Sequence, residues 1–336
     1  MGLGKLLIRA DASIEIGTGH VMRCLALAEA WQDAGGTAIF ALASSTPSLL
    51  ARLSAEQFEY VCIPADAGSS EDAERTVELS RSRGVSWIVL DGYAFDSAYQ
   101  ENVNASGAKL LLISDAGGSQ FYSADVVLNQ NLNAAEDLYA ARSPQTRLLL
   151  GTQFVLLRRE FRTWIHCNRQ IPSIAQSVLV TLGGSDPTSL TGKIMRAGSL
   201  AGLKTTFLFG GSAREPPEYQ GCSDTVRLKD HRDPASIMAQ SDLTVICGGG
   251  TLWESLFMGC ATLSYTRNVV QEEIMRRLHR IGAVHWLGRI DDFDPQSLAG
   301  VISDIASSEV RRKAMSVAGR QIVDGRGTER VLCALA

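Results

Sequence analysis

A chain of 336 residues with 45% hydrophobic and 20% charged residues is long and apolar enough to bury two cores, which excludes disorder as its main state. Its formal net charge of −4 lacks the basic excess of a general nucleic-acid binder. The seven cysteines are odd in number and form no Cys-x-x-Cys pair, which argues against a disulfide framework or a structural zinc site. The N-terminus carries no apolar stretch of signal-peptide length, and no run approaches the ~18 apolar residues of a membrane span. A reducing cytoplasm is the expected compartment.

In chain order, the predicted elements alternate strand and helix. Residues 5–10 form an apolar run that ends beside Arg9 and Asp11 and reads as a buried strand. Over 19–34, Val21, Cys24, Leu25, Leu27, Ala28 and Trp31 recur at helical spacing. Further strands are predicted over 37–43, 58–63, 86–90 and 109–113, with helices over 47–54, 71–83 and 97–106. Residues 126–128 then lead into Asn129, Gln130 and Asn131. Polar residues and Pro172 mark 158–174 as a linker. The rhythm restarts near 176, with strands over 177–182, 205–209, 243–247 and 261–265. Helices are predicted there over 190–200, 251–258, 270–280, 294–307 and 309–324. Continuous apolar strands in β-α order predict parallel sheets covered on both faces, an α/β fold. The expected domains are 1–157 and 175–336. Ligands of such sheets bind at the carboxyl ends of the strands, so those loops matter most.

Glycine is abundant, 31 against 9 prolines, and three of its clusters stand between a strand and a helix. In the first, Gly17, Thr18, Gly19 and His20 open a helix, but Met22 breaks the G-x-G-x-x-G dinucleotide pattern. What remains is a glycine-flanked histidine at a helix N-terminus. The helix dipole there favours a neutral imidazole, suited to act as a general base; the alternative is a histidine that caps the helix or packs on the next strand. The second cluster is Gly183, Gly184, Ser185 and Asp186. Its backbone N–H groups and Ser185 hydroxyl suit an anion, or it is a tight turn with Asp186 or Thr188 as helix cap. The third is Gly248, Gly249, Gly250, Thr251 and, one turn on, Glu254. A triple glycine is costly to order, and a diphosphate on that helix N-terminus would justify it, with Glu254 accepting from ribose hydroxyls. The alternative is a close-packed turn with a solvated Glu254. No Gly-Lys-Ser/Thr follows, so Walker-A chemistry is excluded.

Smaller pointers end strands of the first domain. Asp91, Gly92 and Tyr93, then Ser114 and Asp115, then Asn129, Gln130 and Asn131 all fall on the side expected for His20. Asp91 or Asp115 could orient His20 or hold sugar hydroxyls; either could equally be a turn residue. Asn268, Gln271, Glu272 and Glu273 offer amides and carboxylates at a helix start. Arg276, Arg277 and Arg280 read as a solvated face, and the segment 324–327 as a helix C-cap and turn. The other histidines have no partners at metal spacing, so no metal is expected.

Taken in order, these segments resemble the UDP-2,4-diacetamido-2,4,6-trideoxy-β-L-altropyranose hydrolases of pseudaminic acid biosynthesis. The resemblance runs through Arg9–Ser13, Gly17–Ala28, Leu90–Tyr93, Ile113–Asp115, Leu128–Asn131, Leu150–Thr152, Thr181–Pro187, Gly248–Glu254 and Asp324–Gly327. It implies a GT-B fold similar to the MurG-type transferases, two Rossmann-like domains facing across a cleft. It implies water attack at the anomeric carbon with inversion, C–O cleavage and departure of UDP. The family's catalytic histidine falls on His20. UDP binding falls on the second domain, at Gly183, Gly184, Ser185, Asp186 and Gly248 through Glu254. Neither metal nor other cofactor is implied, and the partner is a small-molecule UDP-sugar. Trp253 departs from the pattern beside the ribose position. Two other functions suit the same residues: a GT-B glycosyltransferase with a UDP-sugar donor, and a non-catalytic UDP-sugar sensor. Oligomeric state is open, with a monomer sufficient.

Overall fold

A computed structural model describes residues 3–13, 16–184, 186, 189–198, 200–211, 213 and 225–336. The chain divides into two compact units, Met1–Arg159 with Arg326–Ala336, and Glu160–Gly325.

The first unit runs β1 (Lys5–Ala10), α1 (Gly19–Asp33), β2 (Thr37–Leu42), α2 (Pro47–Ala55), β3 (Glu59–Cys62), α3 (Ser70–Arg83), β4 (Trp87–Asp91), α4 (Ser97–Asn104), β5 (Lys109–Ile113), β6 (Val126–Asn129) and β7 (Arg147–Leu150). Among the described residues its sheet has the order β3-β2-β1-β4-β5-β6-β7, with every strand pair parallel. Its central strands are mainly apolar because both faces are covered. Leu6, Ile8, Phe40, Val89 and Leu111 turn to the face covered by α1, meeting Val21, Cys24, Leu25 and Trp31. Leu7, Ile39, Ile88, Leu90 and Leu112 turn to the other face, meeting Tyr99 and Val103 of α4. This alternation is the period of two that a pleated strand imposes. Helix starts carry their own signals: Ser69 accepts from Asp72 N–H and Asp96 from Tyr99 N–H.

The second unit begins with the short α5 (Arg159–Arg162), whose first residue closes unit one. It continues with β8 (Ser177–Val180), α6 (Leu190–Arg196), β9 (Lys204–Phe209), β10 (Thr225–Lys229), α7 (Pro234–Gln240), β11 (Leu243–Cys247), α8 (Gly249–Phe257), β12 (Ala261–Thr266), α9 (Val269–Ile281), β13 (Val284–Arg289), α10 (Pro295–Ala306) and α11 (Glu309–Ile322). Its described strands pair in parallel in the order β10-β9-β8-β11-β12-β13. Val178, Val180, Phe207, Val245 and Leu263 form the centre of its core with helices α6 and α10. No helix among the described residues is long and apolar enough to cross a membrane.

The structure corrects the expected division at both ends of the second domain. The last helix, α12 (Gly327–Leu335), packs on the first unit, where Val331 and Leu335 join the core. Trp87 Nε1 donates to Leu335 O at 3.0 Å and Leu157 N to Thr328 Oγ1 at 3.2 Å. Gly327 lies so close to Val155 that a Cβ would stand 2.2 Å from its carbonyl oxygen. The segment read as a cap and turn therefore leads into a further helix. The expected linker is likewise no loose connection. From Glu160 onward it belongs to the second unit, strapped by Arg320 to Cys167 O at 2.6 Å and by Arg169 to Met238 O at 3.0 Å. Strands β7, β10 and β13 and helices α7 and α12 were not anticipated. Helix α6 stops short of the expected 200 before Gly198, whose φ is +87°.

One ion pair ties the carboxyl ends of the first sheet together. Arg9, fully buried, donates from Nε and Nη2 to the two oxygens of buried Asp72, at 2.8 and 3.0 Å. It also pairs with Asp11 at 2.7 Å, and Asp11 accepts from Ala43 and Ser44 N–H at 2.7 and 2.9 Å. Removing one partner of such a pair strands a buried charge. Asp72→Ala is expected to cost about 3–5 kcal/mol in urea unfolding; a loss below about 1 kcal/mol would show that Asp11 alone satisfies Arg9.

Candidate functional site

In the first sheet the strand order reverses between β1 and β4, and the loops leaving these strands part there. His20 is the second residue of α1, reached through Gly17, whose φ is +79°, and Gly19, which opens the helix. Its side chain does not cap the helix. Nδ1 stands 2.6 Å from Oδ1 of Asp91, the last residue of β4, which is fully buried. A carboxylate only accepts, so Nδ1 carries a proton, and in the neutral imidazole Nε2 keeps its lone pair. Of the two carboxylates that could orient His20, the structure selects Asp91.

Arg23, one helical turn beyond His20, completes the cluster. Its Nε and Nη2 donate to the two oxygens of Asp91, each at 2.6 Å. Its Nη1 donates to both oxygens of Asp115 at 2.8 and 2.9 Å. Burial works against a charged Asp91, but Arg23 and then His20 outweigh it and hold the carboxyl well below the usual carboxylate range. Asp115 is held from the other side by Asn131 Nδ2 at 2.8 Å. Asn131 is fixed by Asn129, and Asn129 by the Tyr139 hydroxyl at 2.9 Å. Burial pushes Tyr139 up to about 12, so it stays a donor, to Ser114 O at 2.6 Å.

Tyr93 is 83% exposed, yet its ring meets the His20 ring edge-on, with centroids 5.1 Å apart. His20, Arg23, Tyr93 and Asp115 line a cavity of about 630 Å³ together with the turn at Gly117 and Gly118. A histidine with a proton-bearing Nδ1 fixed to a buried carboxylate, and Nε2 unengaged on a cavity wall, can take a proton from a bound hydroxyl or water.

The second sheet reverses between β8 and β11. Gly183 follows β8 with φ +89°, and a Cβ there would stand 3.6 Å from Thr251 Oγ1. Gly248, with φ +41°, precedes α8, which starts at Gly249, two residues earlier than predicted. Gly249 and Gly250 are exposed, and α8 has no side-chain cap. A Cβ on Gly248 would lie 2.7 Å from Gln271 Cδ. Gln271 in turn accepts from Arg267 N–H at 2.9 Å, and Arg267 Nη2 donates to Leu182 O at 3.0 Å. The structure thus gathers Gly183, Gly184, Gly248, Gly249, Gly250, Thr251 and Gln271 at adjoining strand ends, with one guanidinium among them.

Two of the expected site residues are engaged elsewhere. Asp186 caps α6, accepting from Leu190 and Thr191 N–H at 3.0 and 2.8 Å, so its carboxylate is spent on the helix. Glu272 pairs with Arg276 at 2.5 Å along α9. Ser185 lies outside the described residues. Glu254 is half-buried on α8, beside Trp253, which is core and 2% exposed. Sequence reasoning assigned no role to Arg23, Asn131 or Arg267. Arg23 was detectable as the i+3 neighbour of His20 on one helix face, and Arg267 as a cation at the end of a predicted strand.

No family model matches the chain. It is similar to an uncharacterized protein of Methanocaldococcus jannaschii, 22% identical over 282 residues, covering 80% of this chain but only 57% of that protein. It is 23% identical over 343 residues to the spore coat polysaccharide biosynthesis protein SpsG of Bacillus subtilis, covering 98% and 96% of the two chains. It is 24% identical over 261 residues to the UDP-2,4-diacetamido-2,4,6-trideoxy-beta-L-altropyranose hydrolase of Campylobacter jejuni, covering 76% and 88%. A protein of the family that the motifs resemble is thus among the similar proteins. Among solved structures it resembles MurG of Acinetobacter baumannii, with TM-score 0.64, 15% identity and 98% of each chain covered. The spinosyn forosaminyltransferase SpnP also gives TM-score 0.64, at 12% identity, covering 98% and 99%. The fold is therefore that of the GT-B enzymes, two units each built on a parallel α/β sheet.

The packing of Gln271 on Gly248 is directly testable. Gly248→Ala should destabilise by about 1–3 kcal/mol, from its positive φ and the displaced amide. Gln271→Ala in the same chain should recover part of that loss. Strictly additive effects in urea unfolding would show that the contact is not made.

Proposed function

We propose that this chain is an inverting UDP-sugar hydrolase. The observation that carries the reading is the 2.6 Å contact between His20 Nδ1 and buried Asp91 on the wall of a cavity of about 630 Å³. His20 Nε2 takes the proton of a water as the water oxygen bonds to the anomeric carbon. The bond from that carbon to the diphosphate oxygen breaks, and UDP leaves with the electron pair. Asp91 stabilises the imidazolium that forms, and Tyr93 and Asp115 face the sugar. A positioned base of this kind contributes about 10²–10⁴-fold.

The second unit carries groups suited to a diphosphate. The amides at the start of α8, freed by Gly248, Gly249 and Gly250 and bordered by Gly183, Gly184 and Thr251, offer donors to a diphosphate. Arg267 adds a charge-assisted donor beside them. Gln271 frames the turn, and Glu254 takes the ribose hydroxyls. Asp186 and Glu272 have no part in this reading. Likeness to the Campylobacter hydrolase supports UDP-2,4-diacetamido-2,4,6-trideoxy-β-L-altropyranose as the first substrate to try.

A second reading is favoured by the likeness to MurG and SpnP. A glycosyltransferase would use the same base on an acceptor hydroxyl. Purified protein incubated with candidate UDP-sugars and no acceptor separates the two. Catalytic release of UDP and of free sugar with inverted anomeric configuration is expected, and no release from any candidate would favour the transferase.

Two variants test the assigned roles. His20→Ala should lose about 10²–10⁴-fold in kcat while the Kd for UDP stays unchanged; a near-normal rate would sink the reading. Arg267→Met should raise the Kd for UDP about tenfold or more by calorimetry, the worth of one charge-assisted hydrogen bond. An unchanged Kd would remove Arg267 from the diphosphate site.

A further inference from the structure

The imidazole is held in a cluster of four charged or chargeable groups rather than by one carboxylate. Arg23 makes four hydrogen bonds of 2.6–2.9 Å to Asp91 and Asp115, and its Nη2 lies 3.2 Å from His20 Nδ1. We infer that Arg23 is a positioning residue that, together with Asp115, sets the resting charge of the His20–Asp91 pair so that His20 waits unprotonated. The inference rests on His20 being the base.

Among the described residues, the groups that face this pair are few. Asp91 comes from β4, and Tyr93 from the turn beyond it. Arg23 and Cys24 come from α1, Cys24 Sγ donating to Asp91 Oδ2 at 3.4 Å. Asp115 follows β5 and reaches the pair through Arg23. Burial raises the Cys24 thiol well above its ordinary value, so neither it nor the Tyr93 hydroxyl carries charge near neutral pH.

The charge count then decides the behaviour. With a neutral imidazole, one guanidinium stands against two carboxylates, and the cluster holds one net negative charge. Taking a proton onto Nε2 makes the cluster neutral, which a site screened from water favours. Without Arg23 the resting cluster would hold two negative charges. It would bind a proton before substrate arrived, and the base would be spent. Without the charge of Asp115 the resting cluster is already neutral. Proton uptake would then create a net positive charge, and the base would be weaker. Arginine is required because only its planar fork spans two carboxylates at once.

The experiment follows UDP release as kcat/KM from pH 5 to 9 for the unaltered protein, Arg23→Met, Arg23→Lys and Asp115→Asn. The 15N signal of His20 is followed over the same range in the substrate-free proteins, assigned with His20→Gln. Arg23→Met should move the acid limb up by about one unit, so that its deficit at pH 6 is about tenfold greater than at pH 8.5. Asp115→Asn should move the limb the opposite way. Arg23→Lys should restore the limb by supplying the charge, yet keep a reduced kcat because lysine cannot grip both carboxylates. The His20 signal should shift in the same directions without substrate. A uniform loss at every pH in Arg23→Met, or limbs that move the same way in Arg23→Met and Asp115→Asn, would overturn the inference. Should Arg23→Met fail to fold, Arg23→Lys and Asp115→Asn still give the two signs. Absence of any hydrolysis by the unaltered protein would defeat the functional reading instead, and the 15N titrations would still test Arg23.

Discussion

Both sheets reverse strand order beside their first strand, and the histidine of the first unit and the glycines of the second depend on that reversal. In a parallel sheet each crossover helix is committed to one face. Where successive crossovers switch faces, the loops at the carboxyl ends of two neighbouring strands are drawn apart. In the first unit these are the loops after β1 and β4, which bring His20 and Asp91 together. In the second they are the loops after β8 and β11, which bring Gly183 and Gly248 together. The central strands are buried on both faces, so they leave little room for chemistry along their length. Polar groups collect at their ends because that is where backbone and side chains leave the core.

Two guanidinium–carboxylate clusters sit at the same end of the first sheet and illustrate different uses of one interaction. Arg9 and Asp72 are sealed, with Arg9 stacked 5.3 Å below the Phe95 ring. Their pairing is consumed in holding loops. Arg23 with Asp91 and Asp115 has the same chemistry but borders a cavity, and its side chain keeps 12% exposure. Burial makes both clusters intolerant of an unpaired charge. In the second cluster a histidine shares the carboxylate, and that intolerance becomes a bias toward accepting a proton.

The core of the fold was legible because it is periodic. The strands 5–10, 86–90 and 109–113 each carry three or four consecutive apolar residues, and the observed β1, β4 and β5 match them within a residue or two. The edge strands β7, β10 and β13 were not. Strand β10 reads Thr225-Val226-Arg227-Leu228-Lys229 and is half solvated, and β7 is four residues long. An edge strand is defined by the neighbour that it pairs with, which no local pattern records. Helix α12 shows the same limit. Its apolar face, with Val331 and Leu335, is visible in the sequence, but which sheet it covers is not. The site divides in the same way. His20 at a helix start, the glycine triplet and the aspartates at strand ends could be named as candidates. The capping role of Asp186 could be stated only as one of two readings.

The sequence by itself determined the two α/β sheets, their apolar strands and the short set of polar residues at strand ends, because hydrophobic period and turn chemistry are local properties. Only the tertiary structure decided that Asp91 rather than Asp115 touches His20, that Arg23 joins both carboxylates, and that Gln271 closes on Gly248. Arg23 meets partners 68 and 92 residues away. Such contacts follow from the order in which strands are laid side by side and from the register of β4 against β5. The register pairs Asp91 with Ile113 and so leaves Asp115 two residues beyond the sheet. Strand order and register are settled by the packing of the whole unit, so no segment of the chain encodes them alone.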